Sequence, residues 1–226
     1  MPFKSLARPG STHDSRNRPR SRRARALGVV VVAAWGLLPA CGGTKEMAAP
    51  PQAAAPAAQS AVSRFFPLVD GTQWAYEAEE DDTGNKGVFV TRAQAMAGPR
   101  FSLVTGQRSR VVEIRAEGIA KTETGVYLLR APLAAGSEWP GEGGAVIRVA
   151  AVDRIVDVPA GKFVGCLDTV EEQPGPGGQP VRRITTTYCP EVGIVTLHAE
   201  AWENGQHVGE RAVLRSYGKP ISIMPK

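Results

Sequence analysis

Residues 158–197 read VPAGKFVGCLDTVEEQPGPGGQPVRRITTTYCPEVGIVTL, and this stretch decides the fold class. The run Arg182-Arg183-Ile184-Thr185-Thr186-Thr187-Tyr188 is dominated by β-branched and aromatic side chains. Such side chains are stiff at χ1 and pack well on a pleated surface. A second run ends at Glu171, and the Pro/Gly cluster EQPGPGGQP (172–180) lies between the two. Strand chemistry, a turn cluster and strand chemistry again make a hairpin. Closure with Glu172 opposite Arg183 would give a favourable cross-strand charge pair. Antiparallel register then places Cys166 directly opposite Cys189, near the separation that a disulfide tolerates.

The same chemistry recurs on both sides. TQWAYEAE (72–79) alternates Trp74, Tyr76 and Ala78 with polar partners, and GVFVTR (87–92) follows the turn residues DDTGNKG (81–87). Residues 111–114, 125–129, 145–149 and 194–197 are further short β-branched or aromatic runs. Asn204-Gly205 supplies the positive φ angles of a tight turn, which predicts a hairpin of 194–202 with 207–216. No part of the domain carries a helical stripe of helical length. The expectation is an all-β domain, a single antiparallel sheet curled into a half-barrel or folded into a sandwich.

One eight-residue pattern occurs twice. Pro67-Leu68-x-x-Gly71-Thr72-Gln73-Trp74 returns as Pro132-Leu133-x-x-Gly136-Ser137-Glu138-Trp139. In physical terms this is a turn needing a glycine φ, then a Trp driven into the core as a strand begins. It is either a duplicated β-unit or convergence of two strand entries.

Charge separates the chain into two parts. The chain has 226 residues and a net charge of +5. Residues 1–40 hold eight basic side chains and one acid, a net of +7, which leaves −2 on the remaining 186 residues. A basic folded protein suited to nucleic acid is therefore excluded, because the basicity belongs to the leader. After SRRAR comes the uncharged ALGVVVVAAWGLLPA (26–40), too short to span a bilayer but suited to a secretory signal. Leu38-Pro39-Ala40-Cys41 resembles the lipobox of bacterial lipoproteins. The resemblance implies lipid transfer to the Cys41 thiol, cleavage between Ala40 and Cys41, and acylation of the new amino terminus. Each buried CH₂ contributes about 0.8 kcal/mol, so several acyl chains would anchor the protein stably. The absence of Asp after Cys41 implies, by the same resemblance, the outer membrane. Residues 44–63, TKEMAAPPQAAAPAAQSAVS, read as an extended spacer whose Pro50, Pro51 and Pro56 oppose a helix. The expected organisation is leader 1–40, lipidated Cys41 with tether to 63, β domain 64–220 and tail 221–226.

FFPLVDGTQWAYE (65–77), VPAGKFVGCLDTVE (158–171) and TYCPEVGIV (187–195), in that order behind a lipobox, resemble a group of uncharacterised bacterial envelope lipoproteins. The resemblance implies fold and address, and it transfers no site. In an oxidising compartment, Cys166 and Cys189 are expected to form a disulfide, two buried free thiols being the alternative.

Recognisable catalytic patterns are missing. There is no HExxH, GxSxG, phosphate-binding P-loop or GxGxxG, and no CxxC or HxxxH spacing for a metal. No metal or other cofactor is expected. The acidic run Glu77–Asp82 lacks the register of a Ca²⁺ loop and reads as a solvated hairpin tip. His198 and His207 read as polar strand positions. Ser216-Tyr217-Gly218-Lys219 matches the SxxK of penicillin-recognising enzymes, but that chemistry needs a helix to bring Lys beneath Ser. The sequence therefore favours a non-enzymatic, membrane-anchored domain that contacts an envelope partner or a small apolar ligand. A lipid or lipoprotein carrier with an apolar half-barrel face and a motif-free hydrolase are the alternatives. A large dry apolar cavity would favour the carrier, and a filled interior a surface role.

Overall fold

A computed structural model describes residues 56–203 and 206–219. The leader, Ala40, Cys41, the first part of the tether, the Asn204-Gly205 turn and the tail 221–226 lie outside the described residues. One helix, α1 (Pro56–Phe65), precedes twelve strands. They are β1 (Gln73–Glu80), β2 (Lys86–Ala95), β3 (Arg100–Thr105), β4 (Arg108–Arg115), β5 (Gly118–Lys121) and β6 (Tyr127–Arg130). The second half is β7 (Glu138–Pro140), β8 (Val146–Val158), β9 (Gly161–Pro174), β10 (Pro180–Cys189), β11 (Gly193–Glu203) and β12 (Gln206–Gly218).

All twelve strands belong to one antiparallel sheet in the order β6-β5-β4-β3-β2-β1-β12-β11-β10-β9-β8-β7. The chain runs up and down through two six-strand meanders, and β1 pairs with β12 to join them. The sheet curls past a half-barrel and nearly closes, leaving only β6 and β7 without a mutual ladder. Among the described residues there is no second sheet against which a sandwich could form. Side chains bridge the seam instead. The Trp139 indole N–H donates to the Tyr127 carbonyl at 3.0 Å, and Lys121 Nζ meets Glu142 Oε1 at 2.9 Å.

Alternation produces the core. Trp74, Tyr76 and Ala78 are buried along β1 while their neighbours are not. Cross-strand partners continue the same face, with Tyr76 stacked on Phe89 at 5.1 Å between ring centres. Trp74, Ile119, Leu129, Leu167, Val195 and Leu214 are all essentially inaccessible to solvent, so side chains fill the interior.

The tether expectation is corrected at its C-terminal end. From Pro56 the chain is helical rather than extended. Proline is tolerated in a first helical turn, where its missing N–H would have no partner. A ten-residue helix is marginal alone and depends on docking. Val62, 1% exposed, and Phe66, just beyond the helix, supply that contact at a spacing of four, and Phe66 N–H donates to Val62 O at 3.0 Å. Burial of each stabilises by roughly 1.5–3 kcal/mol, which offsets the cost of nucleating so short a helix. The helix thus takes in the last residues of the expected tether.

The two copies of the repeated pattern open the two meanders, at β1 and β7. In the first, Gly71 N donates to Ala93 O, Ala93 N to Thr72 O, and Thr72 N to Val69 O. In the second, Gly136 N donates to Val149 O, Val149 N to Ser137 O, and Ser137 N to Ala134 O. Both glycines have positive φ, +78° and +86°, as this turn requires. Ala93 and Val149 are both fully buried. The echo is therefore one turn built twice, at the same place in each half of the sheet.

Candidate functional site

The three stretches that carry the lipoprotein resemblance meet at the α1 end of the sheet, and their contacts there are structural. Phe66 packs against Trp74 at 6.1 Å and edge-on to Tyr188 at 6.0 Å. The Trp74 indole N–H donates to Val192 O at 2.7 Å, and Tyr76 O–H donates to Ile194 O at 2.9 Å. Burial drives the Tyr76 phenol far above its ordinary pKa, with Tyr188 adding to the shift, so it stays a neutral donor. Gly193 has φ +101°, and a Cβ there would lie 3.2 Å from the Phe66 ring and 3.3 Å from Trp74 Nε1. Glu191, also at positive φ, donates its backbone N–H to Arg64 O at 2.6 Å. The β10–β11 turn is thus tied at once to α1 and β1.

Cys166 and Cys189 are joined by a disulfide with a Cα separation of 4.2 Å. The β9–β10 register is the one that a Glu172–Arg183 pair dictates: Arg183 faces Glu172, with Nε to Oε1 at 2.7 Å, and Tyr188 faces Leu167. Beyond this last rung β9 leaves β10 and continues with β8 as a two-stranded arm. The arm bends through three register shifts in the β8–β9 pairing. Its tip reaches past β10 and β11, where Ala160 N donates to Leu214 O of β12 at 3.0 Å and Phe163 meets Tyr217 edge-on at 6.1 Å. At the arm's base Asp168 accepts from Thr187 Oγ1 at 2.7 Å and pairs with Arg154 at 3.0 Å.

The densest cluster of titratable groups sits on the outer wall. His198 Nε2 lies 2.6 Å from Asp81 Oδ2, and its Nδ1 lies 3.9 Å from Glu200 Oε2. His207 Nε2 is 3.2 Å from Glu200 Oε1, and its ring is tilted against Trp202 at 5.1 Å. Gly209 leaves room for Asp81, whose carboxylate would lie 2.1 Å from a Cβ at that position. Sequence reading separated these residues. Only the i, i+2 spacing of His198 and Glu200 could have hinted at the cluster, because Asp81 stands 117 residues away. His198 is thus hydrogen-bonded to Asp81 through Nε2 and within ion-pair distance of Glu200 at Nδ1. Among the described residues, no three His, Cys, Asp or Glu side chains converge as metal ligands.

Among the described residues, two of the surface clefts have volumes of about 200 Å³ and about 210 Å³. The first brings Ser216 and Lys219 together with Gln73, Val90 and Tyr217. Ser216 is on a strand and Lys219 just beyond its end, so the helical stacking that an SxxK nucleophile requires is not formed. The second lies along the seam, lined by Arg130, Ala131, Pro132, Ser137, Glu138 and Trp139. Both are smaller than the roughly 300 Å³ at which ligand pockets begin. The acidic run is neutralised locally: Lys86 bridges Glu77 at 3.7 Å and Glu79 at 3.3 Å, and Thr83 and Asn85 donate to Glu80.

The described residues define an all-β, single-sheet domain with a packed interior. No protein-family model and no curated protein matches the chain. Among solved structures, a Bacteroides fragilis protein provisionally described as exported, with a YmcC-like fold, is similar at 16% identity and a TM-score of 0.44. The alignment covers 69% of this chain and 99% of that one. A provisionally described lipoprotein from Parabacteroides distasonis is similar at 14% identity and a TM-score of 0.41, covering 68% and 98%. Scores under 0.5 do not establish a shared architecture.

Proposed function

We propose that this chain is a lipid-anchored protein of the bacterial envelope whose β domain acts by contact through its surface, without catalysis. The observation that carries the reading is the filled interior. Trp74, Tyr76, Tyr188, Leu129 and Leu214 occupy the space in which a carrier would hold an acyl chain. Both clefts are too small for one. The address comes from the leader and from the resemblance of Leu38–Cys41 to a lipobox. Outer-membrane placement rests on Gly42 following Cys41. Intact-mass measurement of the protein extracted from membranes tests the anchor. A chain beginning at Cys41 and carrying acyl chains is the expected result. A chain that begins elsewhere, or a Cys41→Ser variant that stays equally membrane-bound, contradicts it.

A further inference from the structure

We infer that the β8–β9 arm rests on the lipid bilayer through its outward face. The inference extends the lipid-anchor reading above to the contact that the folded domain makes. Val158 is buried, and Val156, Ala160 and Phe163 pack partly against the core, on the inward face of the arm. Val156 pairs with Phe163, so by alternation Ile155 and Val164 lie on the opposite face, which they share with the paired Asp157 and Lys162. Ile155 and Val164 are 62% and 65% exposed, among the most exposed large apolar side chains of the described residues. Two large apolar side chains this exposed on one face of one hairpin are unlike a scattered surface valine.

Two observations select a bilayer as the occupant. The arm tip lies at the end of the sheet where α1 enters, because β1 starts there and each following strand alternates direction. Fourteen residues separate Cys41 from Pro56, which reach at most about 50 Å when fully extended. A tether of that length presents the same end of the domain to the membrane at an effective concentration on the order of millimolar, so a weak contact suffices.

Hydrogen–deuterium exchange of the full-length lipidated protein, with and without phosphatidylethanolamine–phosphatidylglycerol vesicles, tests the inference, and flotation of the same samples reports the anchor. The expected result is about tenfold slower exchange of arm amides in the presence of vesicles. That protection should be lost in Ile155→Asp/Val164→Asp and retained in Val88→Asp, which places a carboxylate on another exposed valine. Ile155→Ala/Val164→Ala, milder for folding, should lose most of it. If the protein floats and the arm exchanges equally with and without vesicles, the arm contact is overturned and the anchor stands. If Cys41→Ser floats like the parent with its arm protected, the anchor fails and the arm contact holds. If no form floats, both fall.

Discussion

At two glycines a side chain is excluded by a neighbour, yet the consequences of adding one should differ. At Gly193 a Cβ meets the rings of Phe66 and Trp74, both buried, and φ is +101°. Neither ring can retreat, so Gly193→Ala should lose on the order of 3 kcal/mol, combining backbone strain with overpacking. At Gly209 the obstacle is the carboxylate of Asp81, on an exposed turn that can swing away. Gly209→Ala should lose less than about 1 kcal/mol, the worth of an exposed ion pair. Urea unfolding of both variants checks the ranking, and equal losses would contradict it. Acid sensitivity has a named residue as well. Burial alone would raise the Glu142 pKa, but the hydrogen bond and charge of Lys121, with Thr124 and Arg110, outweigh it and hold the group below 4.5. A carboxylate depressed in this way adds stability above its unfolded pKa and loses it as pH falls through the folded value. Glu142→Gln should therefore flatten the decline of stability below about pH 4.5, where the wild-type seam weakens. Glu210 works in the opposite direction. Burial, and then the charge of Glu80, raise its pKa, so Glu210→Gln should stabilise the fold at neutral pH. That gain should vanish as pH falls through the raised value. Unfolding measured across a pH series reads both.

At the scale of elements, the disulfide closes the last rung of the β9–β10 ladder where the arm departs. Its chain separation of 23 residues corresponds to roughly 3 kcal/mol of unfolded-state entropy. Cys166→Ala/Cys189→Ala should lose about that much, read by thermal or urea unfolding. The loss should appear as earlier proteolysis within 150–165 before the rest of the sheet yields. Most strands were legible from alternation and turn chemistry. The β9–β10 register followed from one charge pair, because sheet register is quantised in steps that turn every side chain over. Two strands were not legible, for physical reasons. β5 is four residues, too short to show a period; β7 is shorter still, and only the repeated pattern ending in Trp139 marked its entry. β3, Arg100–Thr105, places Phe101, Leu103 and Val104 on both faces, which blurs the alternation. The helix at 56–65 was hidden by Ala/Pro composition, since its stability comes from where Val62 and Phe66 dock and not from its own residues.

For the whole molecule, pattern could fix the class as all-β but not the closure. Alternation tells which face of a strand is buried, not which distant strand borders it, and the pairing of β1 with β12 joins the two ends of the domain. The outer-wall cluster of Asp81, His198, Glu200 and His207 was out of reach for the same reason. Once the two copies of the entry turn are placed, the domain is two six-strand meanders that differ at their junctions. One junction, β1 with β12, is a full ladder, and the other, β6 with β7, is closed by an indole and an ion pair. Filling of the interior by both meanders is what separates a surface-acting domain from a carrier. Mass spectrometry under non-denaturing conditions, on protein purified from the envelope, tests that distinction directly. The predicted spectrum shows the chain with its covalent modification and no further ligand. A stoichiometric apolar ligand that survives delipidation of the sample would contradict the account.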